Sequence, residues 1–194
     1  MRRTKVAGLG VALSVVVLAM AGGTADARDY KTGGTPTPLE MRQSIPEAPV
    51  YRDFLPQAVD LSRYMPPVGD QGNQGSCVGW ATAYAARAYY AQQVEHRDIS
   101  LKQNIPSPAW IFDIIHIGKT CDEGSYIPDA LNVLTKGAYS LADFPYDDTK
   151  CPRPLPPARL KATDFKIDGF DRVWDIQQST DLDQVKGALA KGNP

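Results

Sequence analysis

Histidine is nearly missing from this sequence: 194 residues hold two, His96 and His116. Cysteine is scarce too, at three. Asp122, Glu123 and Asp129 lie close in sequence but offer too few oxygen ligands at defined spacing for calcium. They are read as a solvated face, and no metal or organic cofactor is expected. Basic charge is not in excess: Lys and Arg number 21 against 22 Asp and Glu. That balance speaks against nucleic-acid binding and against an anionic membrane surface. The longest apolar run, Val6 to Met20, is 15 residues. A spanning helix needs roughly 20. No cysteine follows that run, which excludes a lipoprotein anchor, and there is no internal repeat.

What is there begins with an export signal. Arg2, Arg3 and Lys5 precede the apolar run, and Ala25-Asp26-Ala27 closes it with a small-x-small cleavage site. Residues 1–27 are therefore read as a signal peptide, and the protein as secreted or periplasmic, with no membrane contact after cleavage. The remaining 167 residues carry a net charge of −3 and suffice for one domain with a real core. Residues 28–54 are rich in Gly, Pro and Thr and show no sustained period; they read as a linker or short pro-segment. Residues 55–194 form the expected domain. Export exposes the cysteines to an oxidising compartment. Three is odd, so one thiol at least stays unpaired or pairs between molecules. Cys121 and Cys151, 30 apart and flanking a helix-like segment, are the natural pair, leaving Cys77 free; other pairings stay open.

Helical patterning dominates the domain. Alanine at 81, 83, 85, 86, 88 and 91 makes Cys77 to Val94 the strongest helix. Ser76 stands as its N-cap, so Cys77 is its first residue. Trp80 and Tyr84 lie on its apolar face. Ser107-Pro108 opens a second helix, with Trp110 and Phe112 in the core. Pro128 to Lys136 is a third, stopped by Gly137. Asp143 to Asp147 is a turn, and the prolines at 152, 154, 156 and 157 impose an extended or looped stretch. Phe165 to Val173 alternates like a strand. Leu182 to Ala190 is a last short helix.

The stretch Asp70-Gln-Gly-Asn-Gln-Gly-Ser-Cys77 concentrates the chemistry. A cysteine at a helix N-terminus faces unpaired N–H groups and the positive end of the dipole, which favour a thiolate. Gly72 and Gly75 permit a sharp backbone turn and leave room for a substrate chain. Acyl transfer also needs donors aimed at the developing oxyanion. The Cys77 N–H supplies one; the Gln71 or Gln74 amide can supply another. By itself Cys77 is compatible with a buried structural thiol; Gln71, Gly75 and Ser76 at their spacing favour a nucleophile.

"QGNQGSC" closely resembles the nucleophile segment of papain-like cysteine proteases, in which Gln-Gly-x-x-Gly-Ser-Cys precedes an apolar helix. The resemblance assigns Cys77 as nucleophile, Gln71 as oxyanion donor, and Gly75 and Ser76 as substrate-side neighbours. It extends outward. "LPQAVDLSRYMPPVGDQG" from Leu55 is similar to the family's mature N-terminus. "DEGSYIPDALNVLTKGAYSLADFPYD" resembles the segment with the substrate-binding Gly-Gly loop, a short helix and a Tyr-Pro-Tyr turn. "LDQVKGALAKGNP" looks like the helix before the second lobe. Gly124 and Ser125 inherit the substrate-binding role. The departures are Val78 where an aromatic residue is usual, Gln74 where a bridging cysteine is usual, and Glu123-Gly124-Ser125 where two glycines adjoin. They suggest a divergent bacterial-type branch.

The resemblance implies an α+β, papain-like fold: mainly the helical first lobe, with only the start of the β-rich second lobe. The family's histidine base lies roughly 130 residues after the cysteine. That falls beyond Pro194, as does the orienting asparagine, so the domain is expected to be incomplete at its C-terminus. His96 lies in a polar stretch and His116 near a helix end; neither suits a base held by a third group. The expected function is a secreted cysteine-type endopeptidase acting on a peptide or protein substrate through an acyl-enzyme. The alternative is a lone first lobe that binds a peptide or partner without cutting it. Oligomeric state is not readable.

Overall fold

The computed structural model describes residues 31–151, 164–175, 178–179 and 182–194. The expected signal peptide and the proline-marked stretch after Cys151 lie outside the described residues.

The chain is helix-rich. A short helix α1 (Leu39–Gln43) sits within the segment read as a linker or pro-segment. The long central helix runs as α2 (Cys77–Gly79), a π-helical stretch (Trp80–Arg87) and α3 (Ala88–Gln93). It is followed by α4 (Pro108–Ile115), α5 (Ile127–Leu134) and α6 (Asp183–Ala190). Inside the π stretch, the Thr82 hydroxyl donates to Val78 O at 2.7 Å. That is the carbonyl an α-helix would give to the Thr82 N–H. Such a back-bond from a threonine hydroxyl accompanies local departures from regular α-helix.

The central helix packs on α4 and α5. Its small residues set the approach: a Cβ on Gly79 would fall 2.4 Å from Pro108 O, so only glycine lets α4 start there. The core unites Val78, Ala83, Ile111, Ile115, Ala130, Leu134, Ala138 and Phe165, with Cys77 packed at its edge. Each large apolar side chain fully buried there contributes roughly 1.5–3 kcal/mol. Tyr84 and Phe112 are buried as expected. Ser107 caps α4 through a bond from Trp110 N at 3.2 Å. Gly137 ends α5 at φ 113°.

Two expectations fail. Phe165 to Val173 is not a strand; among the described residues there are only isolated bridges, including Ala138 with Asp164 and Glu47 with Arg172. Phe165 adopts φ 54°, a left-handed turn that an extended strand excludes, and among the described residues no strand runs alongside to pair with it. Ser76 does not cap the central helix with its side chain; its hydroxyl is engaged by Tyr146 instead.

Candidate active site

Cys77 is the first residue of the central helix, a free and half-buried thiol. The loop before it is held by a set of specific bonds. Gly72 takes φ 58°, and its N–H bonds Asp70 Oδ1 at 2.8 Å. Asp148 receives Asn73 N–H at 3.1 Å and occupies the space a Gly72 side chain would need. Gly75 N–H donates to Cys121 O at 2.8 Å, tying the loop before Cys77 to the disulfide loop. Tyr146 OH donates to Gln71 O at 2.8 Å and lies 2.6 Å from Ser76 Oγ. The Tyr146 ring packs edge-on against Trp80 at 4.8 Å between centroids. One tyrosine therefore links the expected oxyanion residue to the residue before the thiol.

Cys121 and Cys151 form a disulfide with Cα atoms 5.9 Å apart. It braces the loop that carries Gly124 and Ser125. In the turn before Cys151, the Asp147 carboxyl is lowered to about 2 by bonds from Lys150, then Thr149.

The cleft is occupied by the chain itself. Gln71 Nε2 donates to Lys31 O at 2.6 Å and to Gln74 O at 3.1 Å. Ser125 N–H donates to Gly33 O at 2.8 Å, and Thr35 N–H donates to Ser125 O at 3.1 Å. Gly34 and Ser125 form a parallel bridge. A Cβ on Gly34 would stand 3.7 Å from Cys77 Sγ. Residues 31–35 thus lie as a strap over Gln71, Gly75, Cys77, Gly124 and Ser125, five of the six enzyme-site residues read from the sequence. Ser76 is fully buried beneath them.

The chain is similar in structure to xylellain, a cysteine protease from Xylella fastidiosa. The TM-score is 0.61 at 28% sequence identity. The match covers 84% of this chain, which spans 63% of xylellain's length. No family model and no curated protein matches. The likeness supports the papain-like fold read from the sequence.

Neither histidine is bonded to the thiol among the described residues. His116 stands at the C-terminal end of α4 and packs against Phe112, and its Nδ1 is buried with no hydrogen-bond partner among the described residues. His96 is exposed at φ 56°. No hydrogen bond joins either to Cys77 among the described residues. No group of His, Cys, Asp and Glu able to hold a metal is present among them either. A groove of 730 Å³ lined by Thr82, Ala86, Tyr90, Leu131 and Ile167 contains neither Cys77 nor Gln71. The groove is thus separate from the residues that the sequence reading expected to form the site.

The sequence reading missed the strap and Tyr146. The strap had a signal: Gly33-Gly34 amid Thr and Pro marks a place where backbone comes close to backbone. Tyr146 had none beyond its place in a turn.

Proposed function

We propose that this chain is the thiol-bearing part of a secreted or periplasmic cysteine-type endopeptidase. The observation that carries the reading is a peptide carbonyl, Lys31 O, held 2.6 Å from Gln71 Nε2 while the same segment passes over Cys77. A substrate carbonyl in that place would meet the donor an oxyanion needs. The Cys77 sulfur attacks the carbonyl carbon, and the C–N bond breaks to leave an acyl-enzyme. Water then releases the acid and restores the thiol. Gln71 Nε2 and the Cys77 N–H stabilise the oxyanion in both steps. A histidine takes the thiol proton and passes it to the leaving amine, with an asparagine to orient it. Neither role is taken by a described residue. Gly124 and Ser125 pair with substrate backbone, as they pair with the strap. Residues 28–54 act as a pro-segment whose strap fills the cleft until displaced. Export is supported by the Cys121–Cys151 disulfide, and among the described residues no helix is long and apolar enough to cross a membrane.

The second reading is a module that holds peptides without cutting them. The lack of any histidine bonded to Cys77 among the described residues favours it.

The test is the protein from its native host, treated with an epoxysuccinyl thiol-protease inhibitor and assayed on a mixed peptide substrate. The peptidase reading expects one adduct, at Cys77, and hydrolysis that Cys77→Ser abolishes. Gln71→Ala should lower kcat by roughly 10²–10³-fold. Absence of both adduct and hydrolysis after the strap is removed by limited proteolysis would leave the binding module.

A further inference from the structure

Three glycines from distant parts of the chain meet at one point beside Cys77. Gly33 belongs to the strap, Gly75 to the nucleophile loop and Gly124 to the loop braced by the disulfide. A Cβ added to Gly33 would fall 1.8 Å from Gly75 O and 2.2 Å from Gly75 C. Those are backbone atoms, fixed in turn because Gly75 N–H is bonded to Cys121 O at 2.8 Å. From the other side, a Cβ on Gly124 would fall 2.4 Å from Gly33 O. Gly33 is itself buried. The conformation of Gly33 is not left-handed, so space alone, not backbone strain, demands glycine there. Its neighbour differs. A Cβ on Gly34 would meet only Cys77 Sγ, at an ordinary 3.7 Å. Close packing makes such a difference decisive, because backbone cannot yield as a side-chain tip can.

The strap shows that this channel holds polypeptide. It is bound on both sides of Gly33, by Gln71 Nε2 at Lys31 O and by the Ser125 backbone at Gly33 O and Thr35 N. Beneath it Ser125 is fully buried, and its hydroxyl has no hydrogen-bond partner among the described residues.

We infer that the channel between Gly75 and Gly124 is a glycine-selecting peptide subsite. It accepts peptides running parallel to Ser125, with glycine at the position of Gly33 and a wider choice at the position of Gly34. The strap is its resident ligand, and peptides of the same Gly-Gly class are the ligands it takes in trans. This rests on the cleft described above and names its ligand class; it does not depend on catalysis.

The experiment reads alkylation of Cys77 by iodoacetamide in the full chain, by mass. The wild-type strap shields the thiol. Gly33→Ala, which forces the strap out, raises the alkylation rate by about tenfold or more, the scale of an overpacking cost. Gly34→Ala leaves it within about twofold of wild type, since that position has room. The peptide Lys-Thr-Gly-Gly-Thr-Pro, added at millimolar concentration to the Gly33→Ala chain, slows alkylation again. The peptide Lys-Thr-Ala-Gly-Thr-Pro does not. Far-UV circular dichroism of both variants checks that the helices persist. If Gly33→Ala reacts no faster than wild type, or if both peptides protect equally, the subsite is overturned. Peptide hydrolysis is assayed separately: protection without hydrolysis keeps the subsite and removes the peptidase reading, and hydrolysis without selectivity does the reverse.

Discussion

Tyr146 and Asp164 show how single side chains hold segments far apart in sequence. Tyr146 joins Gln71 to Ser76 and so fixes the loop before the thiol. Asp164 anchors the segment that carries Phe165: Arg97 donates to its two oxygens at 2.8 and 2.7 Å. Those bonds hold the Asp164 carboxyl below the ordinary aspartate range. A lowered folded value means the pair's contribution is present above the unfolded value, near 4, and is lost as pH falls through the folded one. The side chain is 53% exposed, so solvent screens the pair to about 1 kcal/mol or less. Asp164→Asn is therefore expected to lower the melting temperature slightly at neutral pH. The difference from wild type should close as the pH falls below the ordinary aspartate range. A gap that stays constant with pH would assign the loss to packing instead. Phe165 adds to this site, with the Arg97 guanidinium 4.9 Å from its ring centroid.

At the scale of elements, the disulfide loop matters most to the site. Residues 121–125 supply Cys121 O to Gly75 and the Ser125 backbone to the strap. Closing a loop between cysteines 30 positions apart stabilises by about 3 to 4 kcal/mol in the chain-entropy model. The double variant Cys121→Ala/Cys151→Ala should lose stability on that scale in a urea melt. It should also expose Cys77 to alkylation, because the strap loses a firm partner. The central helix is less sensitive, since α4 and α5 clamp it from the core side.

Across the whole molecule, residues 31–51 form an arm anchored at two ends. One end is the strap in the cleft. The other is a charged knot: buried Asp175 accepts from Arg42 at 2.7 Å and from Arg172 at 2.9 Å, and Arg172 also pairs with Glu47. Backbone bonds reinforce it, Ala48 N to Arg172 O at 3.0 Å and Arg172 N to Pro46 O at 2.7 Å. Tyr51 N then bonds Gln184 of α6 at 2.7 Å. Release of the strap alone would leave the arm tethered. Asp175→Ala should cost of the order of 3 kcal/mol, because two guanidinium groups lose a buried counter-charge. Limited trypsin digestion should then cut first at Arg42, while wild type resists there.

The central helix, α4, α5 and α6 were legible because alanine content, Ser-Pro and Pro starts and glycine stops are local signals. The place of Cys77 at a helix start was legible because the glycine-rich turn and the alanine-rich run adjoin in one short stretch. The strand at Phe165 was misread: alternation gives a face, but a strand needs a partner strand, and φ 54° at Phe165 denies it one. The Ser76 cap was misread because Tyr146, 70 residues away, competes for the hydroxyl. Sequence alone determined which segments coil and where Cys77 stands at a helix start, since propensity and spacing act over a few residues. Tertiary structure alone decided that the arm lies over the thiol, that Gly33 meets Gly75 and Gly124, and that no histidine among the described residues bonds Cys77. Those are contacts between segments tens of residues apart, and only the folded chain brings their backbones within reach.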